Sequence, residues 1–475
     1  MYKYASALVA VALAKPEEER VTSLPNMDTF DQYGMFSGFL DIEGTSKKIH
    51  YLFVESANDP KTDPLVIWFN GGPGCSSMLG FMQENGPFRM DSGTGEIHAS
   101  ADGWNREANV LYIEQPAGVG FSYCSGKKDC TFDDDTSAKD NLTVVLEWYT
   151  KFPEFQTNDL YISGESYAGI YVPYLSNEIY EHNNANTEND DVFKPPLKGF
   201  MVGNGVTNWD YDTNTSYLDM AYWHSLMNTE LHDKITAAKC DFTGPYMRNV
   251  TQECLGYMNE FDSLVSDVNI YDIFGTCWGA GPYPQLYEAH GPGAKKRGFT
   301  QNDYTPWLKR PIREGDHMLR ELPPCTYGSG LLDYLNLDVV RQALHVPNDV
   351  QAWDLCTNEI NYVIQPKGSQ WIYEKLQGKI RMLHYSGDTD GAVPTIGTEN
   401  WIASLNWKTT VDWQSYKYAG QVAGYFETYE GDFTFATVHG AGHMAPQFKP
   451  PQTYKLIFDW LQKKNEFTEN CTALE

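Results

Sequence analysis

Basic charge is scarce in this chain. Its 475 residues hold 35 Lys and Arg against 63 Asp and Glu, a formal charge of -28. A surface of that sign repels phosphate, so no nucleic-acid partner is expected. It favours solubility and says little about fold. After the first residues no apolar run is long enough to span a bilayer, so no membrane partner is expected either. No C-x-x-C pair exists, which sets zinc aside, and no metal or cofactor is expected. The one conspicuous glycine run lacks the G-K-[ST] ending of a phosphate loop. No internal repeat is evident. Aromatic residues, by contrast, make up 14% of the chain and point to a packed globular protein rather than disorder.

The opening MYKYASALVAVALAK reads as a secretory signal over residues 1–14. Lys3 lies in a short n-region, Ala5 to Leu13 is apolar, and Ala12-Leu13-Ala14 fits a cleavage site. The expected location is the secretory route, ending in a lysosome or vacuole or outside the cell. Four N-x-S/T sequons, at Asn141, Asn214, Asn249 and Asn470, agree as glycosylation sites. So do nine cysteines, most of which would pair in an oxidising compartment. Cys124 and Cys130 flank the short loop YCSGKKDC and are placed to close it. An odd count leaves one thiol over.

Six apolar runs each feed a loop rich in Gly, Asp, Asn or Pro, with helical patterns between several of them. They are Leu65 to Phe69, Val110 to Ile113, the run opening DLYISGESYAG, the run within PPLKGFMVGNG, Ile380 to Tyr385, and Phe433 to Val438. This alternation predicts an α/β fold with a mainly parallel sheet. Functional groups then gather at the carboxyl ends of the strands. Residues 208–324 read differently: polar, rich in Tyr, Asn and Asp, and without strand-then-glycine units. They are expected to form an inserted cap between core segments 15–207 and 325–475. Lys295-Lys296-Arg297 lies in a glycine-rich stretch of the cap and reads as an exposed loop, with two-chain processing there as the alternative.

The stretch Gly164-Glu165-Ser166-Tyr167-Ala168 has the pattern of a nucleophile elbow, with Ala168 in place of the last glycine. A serine hydroxyl needs a base, and the base needs an orienting carboxylate. Asp388 and Asp390 follow the fifth strand and His443 follows the sixth, giving the order Ser…Asp…His. Asp388 is closer to its strand end and is taken as the partner of His443; one of the two aspartates then only caps the turn. His439 and His443 are four apart, but Gly440 and Gly442 make a metal-binding helix improbable. Gly71, Gly72 and Gly74 in WFNGGPGCSS would bring backbone amides close to a ligand, and the Tyr167 amide is the natural second oxyanion donor.

Together WFNGGPGCSS, EQPAGVGFSY, GESYAG, GDTDGAVP and HGAGHMAP strongly resemble the serine carboxypeptidase family, from about Phe36 to Trp460. The resemblance implies an α/β-hydrolase fold with an inserted cap and release of single amino acids from the C-termini of peptides and proteins. It implies Ser166, Asp388 and His443 as the catalytic set, with the amides of Gly72 and Tyr167 as the oxyanion hole. Asn70, Gly71, Glu84 and Glu165 resemble the groups that hold the substrate's terminal carboxylate. The implied disulfides are Cys75–Cys356, Cys240–Cys254 and Cys277–Cys325, beside Cys124–Cys130, with Cys471 left over. Two adjacent glutamates cannot both ionise cheaply. A protonated one can donate to a carboxylate, so binding is expected to favour acidic pH. Two alternatives share the fold: an acyltransferase, and a protective binding partner of other lysosomal enzymes. A homodimer is left open.

Overall fold

The computed structural model describes residues 15–27, 33–91, 95–126, 129–245, 250–277, 329–357 and 360–463. The signal read over 1–14, the basic run at 295–297, the sequons at 249 and 470, and Cys325 and Cys471 lie outside the described residues.

A ten-stranded sheet organises the rest. Its strands are β1 (Met35–Asp41), β2 (Lys48–Val54), β3 (Leu65–Phe69), β4 (Asn109–Ile113), β5 (Leu160–Glu165), β6 (Leu197–Gly203), β7 (Arg381–Gly387), β8 (Thr409–Tyr418), β9 (Gln421–Tyr429) and β10 (Phe433–Val438). Across the sheet they run β1-β2-β4-β3-β5-β6-β7-β10-β9-β8. The central six are parallel, and antiparallel strands close both edges. The chemistry of the side chains explains the division. LVIWF of β3, NVLYI of β4 and FTFATV of β10 are buried along their whole length. Such runs belong in a parallel sheet covered on both faces.

One face packs against helices α1 (Asp134–Lys151) and α2 (Ala168–Ala185), where Val144, Trp148, Ile170 and Leu175 join Ile67, Ile162 and Phe200. The opposite face joins Trp68, Tyr161 and Leu383 to Leu456, Ile457 and Trp460 of the last described helix, Pro450–Leu461. At roughly 25 cal/mol per Å², each such side chain contributes about 1.5–3 kcal/mol when fully buried. A third apolar cluster stands apart from the sheet faces. It is built on helices Asn214–Trp223, Thr229–Ala237 and Gln252–Leu264, with Tyr217, Leu231, Met258 and Phe261 at its centre. No helix among the described residues is long and apolar enough to cross a membrane.

Three disulfides have both cysteines described: Cys75–Cys356, Cys124–Cys130 and Cys240–Cys254, all as expected. Cys277 is also disulfide-bonded. These bonds fit folding in the secretory pathway. Two sequons are corrected. Asn141 is 2% exposed on α1, where its Nδ2 donates to Gln115 Oε1 at 3.2 Å. Asn214 is 3% exposed at the start of its helix. A glycan on either side chain is incompatible with this packing.

His384 on β7 is fully buried beside Trp401, with Nδ1 3.1 Å from Tyr373 Oη. Burial pushes its pKa down to about 3. The unfolded chain would protonate this ring near 6.5, before the folded one does. Its contribution to stability is therefore present above 6.5 and lost as pH falls from there through about 3. Urea unfolding of His384→Asn, compared with the wild type from pH 7 to pH 4, should show a shallower loss of stability on acidification.

Candidate active site

β5 ends at Glu165 and α2 begins at Ala168, so only Ser166 and Tyr167 make the turn. Ser166 has φ +64°, a left-handed conformation that is strained for a residue with a Cβ. Its amide donates to Gly203 O at 3.1 Å, and its carbonyl accepts from Gly169 N and Val206 N at 2.9 and 3.0 Å. Small neighbours make the turn possible. A Cβ on Gly164 would stand 2.4 Å from Phe69 O and 2.7 Å from the Ala168 methyl. Ala168 can therefore replace the last glycine of the elbow pattern because Gly164 has no side chain. Ser166 itself is partly exposed on an otherwise buried turn.

His443 follows β10 and is buried. Its Nδ1 lies 2.7 Å from Asp390 Oδ2, and among the described residues its Nε2 has no hydrogen-bond partner. An ionised carboxylate only accepts, so the pair places the proton on Nδ1 and the lone pair on Nε2. Asp390 is held in turn by the amides of Ala392 and Val393 at 2.8 and 3.2 Å and by Asn204 Nδ2 at 2.9 Å. Asn204 is itself oriented by the amide of Gly387, which donates to its Oδ1 at 2.9 Å.

The expectation that Asp388 orients His443 is corrected by this geometry. Asp388 Oδ2 lies 2.6 Å from Nδ1 of the exposed His439, and its Oδ1 accepts from Gly440 N at 2.6 Å. One residue past the end of β7, Asp388 faces the turn that follows β10. Two residues further on, the chain has bent inward and points Asp390 at the buried imidazole.

The loop after β3 packs directly on the elbow. A Cβ on Gly71 would meet Tyr167 N at 2.4 Å and Ser166 Cβ at 2.8 Å. Asn70 precedes it, with its orientation fixed by two donors to Oδ1: Trp68 Nε1 and Gly80 N, both at 2.9 Å. Its Nδ2 must then point the other way, at Glu84 Oε1 (2.8 Å) and Glu165 Oε1 (3.0 Å). Both glutamates are buried. Burial raises the pKa of Glu84, opposed by hydrogen bonds from Glu165 and Asn70. Burial and then the charge of Glu84 push Glu165 well above the ordinary range. The structure therefore brings together Asn70, Gly71, Glu84 and Glu165 around the base of the elbow.

A loop from the third apolar cluster reaches this site. Tyr271 O accepts from His443 N at 2.7 Å, and its ring lies 4.9 Å from the imidazole, edge to face. Gly391 N donates to Ile270 O at 2.8 Å, and Ile273 N to Thr389 O at 3.0 Å. Sequence reasoning did not single out Asn204 or Tyr271. Asn204 had a signal, since VGNG ends a buried strand; Tyr271 had none.

The serine carboxypeptidase family model matches residues 25–463. The chain is 34% identical to serine carboxypeptidase 1 of Hordeum vulgare, over 94% of this chain and 93% of that one. It is 35% identical to the lysosomal protective protein of Mus musculus, over 95% of each. Its fold matches that of a prohormone-processing carboxypeptidase from Saccharomyces cerevisiae with a TM-score of 0.68 at 23% identity, covering 95% of this chain and 97% of the other. An α/β-hydrolase core, a strained serine at its central strand and a match along almost the whole length lead to one conclusion: the chain belongs to the serine carboxypeptidase family.

Proposed function

We propose that this enzyme releases single amino acids from peptide and protein C-termini at acidic pH, with Ser166, His443 and Asp390 as its catalytic set. The observation that carries the reading is the Asn70–Glu84–Glu165 cluster, built on the residue that directly precedes the serine. A pair of carboxyls kept from ionising can donate to a carboxylate, as a peptide C-terminus presents; an ester or an internal amide needs no such group.

His443 Nε2 takes the Ser166 proton as Oγ attacks the last peptide carbonyl. Asp390 holds the imidazole in its Nδ1–H tautomer and stabilises its charged form. The amides of Gly72 and Tyr167 receive the oxyanion. Asn70, the Gly71 amide and the protonated Glu165 hold the terminal carboxylate. The free amino acid departs carrying the proton from His443. Water then attacks the acyl-enzyme with the same imidazole as base. The cap is proposed to span 208–324, between core segments 15–207 and 325–475 and after a signal at 1–14. A lysosome, a vacuole or the extracellular space is the proposed destination.

Two experiments test these assignments. Release of amino acid from a blocked dipeptide should require Ser166 and a free terminal carboxylate. Loss of that requirement, or acyl transfer to an alcohol without amino acid release, would move the reading to an acyltransferase. Asp390→Asn should lower kcat by on the order of 10³- to 10⁴-fold, and Asp388→Asn by less than about tenfold; the reverse ranking would restore Asp388 as the orienting group.

The pH response follows from the glutamates. Their pKa values are raised, so the carboxyl that donates is present at low pH and lost as pH rises through the upper pKa of the pair. In wild type, kcat/KM should fall on that limb, and the Glu84→Gln/Glu165→Gln double variant should flatten it. The same shift acts on stability. A raised carboxyl pKa stabilises fully below the unfolded value and ceases to as pH rises through the folded one. Glu165→Gln should therefore unfold at a higher temperature than wild type at pH 7, with the difference vanishing near pH 4.

A further inference from the structure

Asp134 is a buried carboxylate that the mechanism above does not use. It is the first residue of α1, but capping that helix falls to Asp133, whose side chain accepts from Thr136 N at 2.7 Å. Asp134 instead gathers three donors from separate parts of the chain. Its Oδ1 accepts from Tyr167 Oη and from Tyr362 Oη, each at 2.8 Å. Its Oδ2 accepts from Gln365 N at 2.8 Å. Burial raises its pKa to about 6 against these hydrogen bonds, which marks a group that costs free energy to keep in place.

Tyr167 is the residue after the nucleophile. Its ring is fully buried and packs edge to face on Tyr171 at 5.1 Å and on Tyr362 at 5.8 Å. Its backbone amide sits at the other end of the residue, under Gly71. The side chain is thus a strut. One end sets the direction of an amide in the active site, and the other is pinned in the core by a single carboxylate. A short parallel pair, Thr131–Asp133 with Asn361–Val363, fixes that pinning point from both sides. Oxyanion stabilisation depends on where the donor points, because preorganised amides work only when aimed at the developing charge.

We propose that Asp134 is a positioning residue for catalysis: by anchoring the Tyr167 hydroxyl it aims the Tyr167 amide at the oxyanion. The inference rests on the assignment of Ser166 and the Tyr167 amide above. It predicts a loss in kcat with little change in KM, since the oxyanion exists only beyond the ground state. It also predicts that Asp134 and the Tyr167 hydroxyl act as one unit.

The test uses full-length enzyme and four forms: wild type, Asp134→Asn, Tyr167→Phe and the double variant. Competent sites are counted by organophosphate labelling of Ser166, and kcat is expressed per labelled site. Each single variant should lose about 10- to 100-fold in kcat, part of the effect of deleting a whole oxyanion donor. KM should stay within about threefold, and the double variant should be no slower than the slower single. If both singles keep kcat per site within twofold of wild type, whatever their melting temperatures, the positioning role is overturned. A double variant whose losses multiply also overturns it, because Asp134 would then act by another route. Should Asp134→Asn fail to fold, Tyr167→Phe alone decides, since it keeps the amide and the ring. Activity surviving in Ser166→Ala would instead overturn the underlying assignment.

Discussion

The active site depends on one close approach: the loop after β3 rests on the elbow with no side chain between them. Gly71 leaves room for nothing larger than hydrogen above Tyr167 N. That contact seats the loop backbone directly against Ser166 and the Tyr167 amide nitrogen. It also brings Asn70, the preceding residue, within hydrogen-bond reach of Glu165, the residue before the serine. The loop is tied down at its far end, where Cys75 bonds Cys356 and Thr357 N donates to Gly74 O at 2.9 Å. The proposed nucleophile, oxyanion donors and carboxylate site thus share one packing contact.

Three buried acids near the serine solve the same desolvation problem differently. Asp390 is surrounded by four donors and serves as an acceptor. Asp134 is surrounded by three, two of them tyrosine hydroxyls. Glu165 shares one amide donor with a second carboxyl, and among the described residues its own Oε2 has no partner. A buried carboxylate that lacks donors gives up its charge rather than its place. Of the three, Glu165 is therefore the one suited to meeting another carboxylate, and donor count distinguishes its role from the others.

The parallel strands were legible because burial on both faces leaves an uninterrupted apolar run; Leu65–Phe69 and Phe433–Val438 were bounded to the residue. The four antiparallel strands at the edges were not singled out. β8 is largely exposed and its pairing with β9 shifts register three times, so no clean alternation survives in its sequence. The elbow serine and the histidine were legible from their small neighbours. The choice between Asp388 and Asp390 was not, because distance from the strand end does not reveal which way a turn bends. Asn141 shows a related limit: a sequon records three residue types but not that the helix turns its asparagine inward.

The loop carrying Ile270, Tyr271 and Ile273 shows why the site cannot be understood from the sheet alone. His443 gives its backbone amide to Tyr271 and packs its ring against that of the same residue, while the Asp390 loop bonds to Ile270 and Ile273. The main chain there approaches so closely that a Cβ on Gly442 would stand 2.1 Å from Tyr271 O. A loop that merely packed over these turns would touch them through side chains and tolerate a methyl group. This one is joined backbone to backbone to both loops that carry the Asp390–His443 pair. The loop's other attachment is to the cluster around Tyr217 and Phe261, where Ile270 is buried. The alignment of His443 and Asp390 is therefore shared between two hydrophobic cores: the sheet supplies the strand ends, and the loop from Ile270 to Ile273 limits where the loops between them can go.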